Sequence, residues 1–120
     1  MRQRHVWFGA ALVLAASAVP ALATPQFKIL ATVPAGCPAV GAVHGGVIYG
    51  TQNSCGSSSG YIFAFNIVTR QFSDIHDFNV SLEGSRPNPG LAVDASGNLF
   101  GTAAIGGNTN NGTIFKLDTN

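Results

Sequence analysis

The chain has 120 residues, 46% of them hydrophobic and 9% charged, with 15 Gly, 6 Pro, 2 Cys and a formal net charge of +1. That length supports one domain at most, and so few charges leave no basic stripe to offset phosphates, which excludes a nucleic-acid binder. Low charge with many β-branched and aromatic residues is the opposite of a disordered composition, and two cysteines are too few for a disulfide-built miniprotein.

Met1–His5 carries Arg2 and Arg4, an apolar or small run follows from Val6 to Val19, and Pro20 precedes Ala21-Leu22-Ala23. A basic start, a short apolar core and an A-x-A site define a secretory signal peptide, here a signal helix within residues 1–23, with cleavage between Ala23 and Thr24. A transmembrane anchor needs about 20 apolar residues, and Pro20 stops the run short. The chain is therefore expected to be exported to a periplasmic, cell-envelope or extracellular site, with no membrane span after cleavage. Its exported part, residues 24–120, keeps four Lys or Arg against five Asp or Glu, so the basic balance belongs to the signal.

Residues 24–40 read as a leading strand, Phe27–Val33, and a loop. Gly41–His44 and Val47–Thr51 are strands joined at Gly45-Gly46, a hairpin signal. A Gly/Ser-rich loop spans Gln52–Ser59, then Tyr61–Asn66 alternates its aromatics on one face. Gln71–Phe78 is the fourth strand, and Asn79–Pro89 a Pro/Gly-rich loop. Ala92-Val93, the turn Asp94–Asn98 and Leu99–Thr102 form a second hairpin; the loop Ile105–Asn111 and the strand Thr113–Asp118 follow. No helical period occurs after residue 23, so the fold class is all-β.

The strands repeat. Ala42-Val43 and Ile48-Tyr49-Gly50-Thr51 recur as Ala92-Val93 and Leu99-Phe100-Gly101-Thr102, and Gly60–Asn66 recurs as Gly112–Asp118, at offsets of 50, 51 and 52. Phe27–Val33 matches Phe72–Phe78 more loosely, at an offset of 45. Four strands in about fifty residues make a propeller-type blade. The expected architecture is thus about two four-stranded antiparallel blades, residues 41–89 and an incomplete 90–120. Two blades leave open faces and strand edges, which invite self-association.

The second copy, from Pro89-Gly90-Leu91-Ala92-Val93-Asp94 through Gly97-Asn98-Leu99-Phe100-Gly101-Thr102 and Gly106-Gly107 to Gly112-Thr113-Ile114-Phe115-Lys116-Leu117-Asp118, resembles the GloVer repeat of exported bacterial choice-of-anchor tandem-repeat proteins. The resemblance is close over about thirty residues. The first copy lacks the Asp and Asn of the turn. The resemblance implies a multi-blade propeller exported to the cell envelope, and no activity, cofactor or ligand. The sequons Asn79-Val80-Ser81 and Asn111-Gly112-Thr113 are incidental in the bacterial setting it implies.

Cys37 and Cys55 both lie in the exported part, where a disulfide is expected, free thiols being the alternative. Closing that loop would stabilise the fold by about 3 kcal/mol. His44 and His76 lack ligand spacing to either cysteine, so no metal is expected. His44 reads as a turn residue. His76, between Ile75 and Asp77, would need a positioned nucleophile to act as a base. Ser57-Ser58-Ser59 lacks the strained turn of a hydrolase serine, nothing in the sequence sets the separation of Glu83 and Asp94 that glycoside hydrolysis requires, and Asp94–Asn98 lacks the alternating ligands of a calcium loop. No catalytic, cofactor or metal residue is therefore expected. The leading functional reading is an exported, non-enzymatic repeat protein, part of a propeller that binds or scaffolds an envelope glycan or protein. The alternatives are part of a carbohydrate-active envelope enzyme whose catalytic residues lie outside this chain, and a truncated product with no function of its own.

Overall fold

A computed structural model describes residues 18–34, 36–53 and 59–120. Among the described residues there are eight strands and no helix. The stretch expected as a signal helix lies, for residues 1–17, outside the described residues.

β1 (Cys37–His44), β2 (Val47–Asn53), β3 (Tyr61–Asn66) and β4 (Phe72–Asp77) pair in chain order as an antiparallel meander. Gly45 and Gly46 both hold positive φ, 55° and 76°, the left-handed geometry a tight hairpin turn needs. At the next reversal Asn66 Oδ1 accepts the backbone N–H groups of Val68 and Thr69, replacing backbone partners by a side chain.

The second sheet contains β5 (Ser85–Pro87), β6 (Ala92–Val93), β7 (Leu99–Ile105) and β8 (Thr113–Leu117). Leu99 pairs with both Val93 and Leu117, and Ala103 with both Pro87 and Thr113. Thus β8 lies along one edge of β7, and β5 and β6 share the other. They act as one interrupted strand. β5 falls in the stretch expected to be a loop, and the second sheet begins before Gly90. Pro38 in β1 and Pro87 in β5 sit on outer strands, where a missing N–H costs no ladder bond.

The two sheets use corresponding registers. In the first, Ala42 faces Tyr49, Gly50 faces Phe63 and Ile48 faces Phe65. In the second, Ala92 faces Phe100, Gly101 faces Phe115 and Leu99 faces Leu117. A Cβ on Gly50 would strike the Phe63 ring and the Ala39 carbonyl, and one on Gly101 the Phe115 ring and Leu91. The cross-strand phenyl ring therefore lies over each glycine, which is why the smallest residue stands there.

One face of the first sheet packs on the second sheet. Tyr49, Ile62, Phe78, Leu91, Leu99 and Ala103 form the shared buried core. The Phe78 and Phe115 rings meet edge to face with centroids 5.2 Å apart, a favoured aromatic geometry. Leu91 settles directly on Gly41, at the bulge between Val40 and Ala42. Buried Thr51 donates its hydroxyl to the Asn88 carbonyl at 3.2 Å, and the Arg86 amide donates to the Ser59 carbonyl at 2.9 Å. Arg86 holds a left-handed φ of 57° to do so.

The expected leading strand is absent: Phe27–Val33 has no strand assignment, and Phe27 is 94% exposed. A strand needs an edge to pair with, and this segment runs along none. Leu30, Ala31 and Val33 instead lie over the outer face of the first sheet, near Val40, Phe63 and Phe72.

Candidate functional site

Three places gather polar side chains. The first is a cleft of about 440 Å³ between the sheets, at the end where β3 turns into β4. Asn66, Gln71 and Ser73 line it from the first sheet, Asp118, Thr119 and Asn120 from the chain end after β8, and Tyr49 forms its apolar side. Part of this polar set is already engaged. Thr119 donates its hydroxyl to the Gly97 carbonyl at 2.8 Å, and the Asn120 amide donates to the Ser96 carbonyl at 3.1 Å. These bonds tie the chain end to the Asp94–Asn98 turn. Gln71 and Ser73 are exposed and open toward the cleft. What the cleft offers is amides, hydroxyls and the Asp118 carboxylate beside an aromatic ring, a lining that can hydrogen-bond hydroxyl-rich ligands.

The second place joins His76 and Glu83, whose Nε2 and Oε2 are 3.1 Å apart. Glu83 Oε2 also accepts the Asn79 N–H at 3.1 Å, and the Glu83 carbonyl accepts the Thr113 hydroxyl at 2.8 Å. The His76 ring meets Phe78 edge to face at 5.2 Å. These bonds close the turn after β4 on itself and fasten it to β4 and to the second sheet. The Thr113 hydroxyl in the same groove donates to the Glu83 carbonyl and not to the imidazole, so these residues form no base–nucleophile pair. The arrangement is a clasp.

The third is the turn of the second hairpin. Asp94 Oδ1 accepts the N–H groups of Ser96 and Asn98, and Oδ2 accepts the Asn98 side-chain amide at 2.8 Å. Its carboxyl is held below the usual carboxylate range, first by the Asn98 side-chain hydrogen bond, which desolvation opposes, and then by the Asn98 and Ser96 backbone donors and the charge of Lys116. A carboxylate so engaged is shaping a turn, and the groove that Glu83 lines with His76 does not include Asp94. Among the described residues no group of three or more His, Cys, Asp or Glu could hold a metal ion.

His44 ends β1, its ring beside Gly97 of that same turn. Tyr61 has its hydroxyl pushed to a higher pKa, chiefly by burial and then by the charges of Asp74 and Asp77. Ala23 and Thr24, the expected cleavage pair, are exposed and outside any strand. Cys37 opens β1 opposite Asn53; Cys55, two residues further, lies outside the described residues, as does the Ser57-Ser58 part of the serine run. Among the described residues no helix is long and apolar enough to cross a membrane.

Sequence reasoning did not single out Asn66, Gln71 and Ser73. The signal was present in the Asn66–Gln71 reversal, where the same asparagine that makes the turn also borders a cleft. Comparison of the chain with family models, with curated proteins and with solved structures finds no match.

Proposed function

We propose that this chain is an exported, non-enzymatic binding repeat protein whose two sheets are propeller-type blades and whose inter-sheet cleft takes a neutral polar ligand such as an envelope glycan. The observation that carries the reading is that cleft: amides, hydroxyls and the Asp118 carboxylate beside Tyr49, while His76, Glu83 and Asp94 are engaged in turns. Such a lining suits hydroxyl-rich ligands, and reaction chemistry would need a free base and nucleophile. The blade reading is supported by the matching registers of the two sheets and by the resemblance of the second copy to the GloVer repeat. Export is supported by Arg2, Arg4, the apolar run to Val19 and Ala21-Leu22-Ala23, and in an oxidising compartment Cys37 would pair with Cys55.

Titration of the purified exported chain with soluble peptidoglycan fragments and oligosaccharides, followed by amide NMR, tests this. Chemical-shift changes confined to Asn66, Gln71, Ser73 and Thr119 are expected, with affinity reduced at least tenfold by Gln71→Ala. No shift change at millimolar ligand, or changes elsewhere that Gln71→Ala leaves intact, would overturn the reading.

A further inference from the structure

The two outermost faces of the molecule carry the same residues, by register, as the two faces that meet inside it. Ile62 of β3 is 0% exposed because the second sheet covers it, whereas Ile114, its counterpart on β8, is 87% exposed. Tyr49 is buried in the shared core and its counterpart Phe100 is open at 38%. At the other end of the stack, Val93 packs against the core from the second sheet, while its counterpart Val43 is 58% exposed on the outer face of the first. Each outer face thus repeats one side of a contact the chain already makes; on the first sheet Leu30, Ala31 and Val33 lie over Phe63 and Phe65 while Val43 stays open, so this segment must leave that face for a second copy to seat there. From this we infer that a second copy of this chain docks head to tail, its first sheet covering the outer face of the second sheet as the second sheet covers the first.

The chemistry of the two faces is matched. Ala92, Phe100 and Ile114 would meet Val43 and Ile48 of the incoming copy, as Ala42, Tyr49 and Ile62 share one core with Val93 and Leu99 within the chain. Lys116 stands where the first sheet has Ala64, and its stem can lie along apolar surface with the ammonium in water. Contacts of this kind use two different patches, so they add copies in one direction and close into a ring when the rotation permits.

The free strand edge follows the same logic. In the first sheet β3 carries β4, whereas β8, its counterpart, borders only β7 among the described residues. The chain leaves β4 and crosses into β5 on the next sheet. An incoming copy placed the same way brings the residues before its own β1, Phe27–Val33, to the open edge of β8. That segment matches Phe72–Phe78 in its apolar positions and is unpaired in the chain alone, with Ile29 71% exposed. Strand addition of this kind satisfies an open edge with main-chain bonds.

Light scattering on the purified chain and on two variants, Ile114→Asp and Val43→Asp, tests the proposal. Both side chains are exposed, so each variant should keep the circular-dichroism spectrum and melting curve of the dilute parent protein. The parent is expected to exceed the mass of one chain, each variant alone to be a monomer, and an equal mixture to give a one-to-one dimer, since one intact interface remains. Slow amide exchange across Phe27–Val33 should appear in the assembled parent and vanish in Ile114→Asp. A parent that stays monomeric at all concentrations overturns the inference. So does an Ile114→Asp protein that still dimerises, which would mean two identical faces meeting, or a mixture that fails to pair.

Discussion

The first sheet is a continuous meander with an unbroken outer strand; in the second that strand is interrupted, and β8 borders only β7 among the described residues. In the first, β1 runs eight residues beside β2 with one bulge at Gly41. In the second, the same role is split between β5 and β6, with Asn88–Leu91 between them. The inner strand pairs, β2 with β3 and β7 with β8, keep a corresponding register nonetheless. Side-chain environment, then, is decided less by position within a sheet than by whether another sheet lies over it. Ile62 and Ile114 hold corresponding places and differ between complete burial and near-complete exposure.

The largest expected effect tests that contrast directly. Ile62→Ala should lower stability by about 2–5 kcal/mol, because it opens a cavity in the shared core. Ile114→Ala should change the dilute monomer by no more than about 0.5 kcal/mol. Urea unfolding monitored by tyrosine fluorescence measures both, and equal costs would break the comparison.

A smaller difference separates the two ring-covered glycines. Gly50→Ala meets the Ala39 carbonyl as well as the Phe63 ring, and backbone cannot swing aside; Gly101→Ala meets the side chains of Phe115 and Leu91. Gly50→Ala should therefore cost about 1–3 kcal/mol through overpacking and Gly101→Ala less, in the same unfolding experiment. The reverse order would mean that the first sheet is the more yielding of the two.

The smallest effect concerns the hairpin turns. The Gly45-Gly46 turn contains no titratable side chain, whereas the second turn is built on Asp94. The Asp94 carboxyl is lowered in the folded state from its ordinary 3.8. Its contribution is thus present above that ordinary value and fades as pH falls through the lowered one. Asp94→Ala should melt earlier than the parent at neutral pH, and the gap should close in strong acid. A gap independent of pH would remove the carboxylate from the account.

Much of the fold is written locally. The Gly45-Gly46 pair specifies its hairpin through backbone conformation, and Tyr61–Asn66 announces a strand through alternation. β5 was not legible, because Ser85–Pro87 is a three-residue strand in a Pro/Gly-rich setting and exists by pairing with Ile105 and Ala103. Phe27–Val33 misleads in the opposite sense, since its composition suits a strand while it lies across the outer face of the first sheet and along no edge. The polar cleft was hidden for a related reason: Asn66 and Gln71 sit close in sequence, but Thr119 and Asn120 reach them only when one sheet packs on the other. The engagement of Asp94 and Glu83 is local instead: their bonds to Asn98, Asn79 and His76 turn two candidate acids into fasteners of their own turns.

Leu91 resting on Gly41 has a consequence for how the molecule comes apart. The shared core takes Tyr49 and Ile62 from one sheet and Leu91, Leu99 and Ala103 from the other, so neither sheet retains a complete apolar interior when they separate. Unfolding is accordingly concerted: a single transition carries both sheets, and a cut anywhere in the connection between them releases two pieces of which neither persists as a folded half.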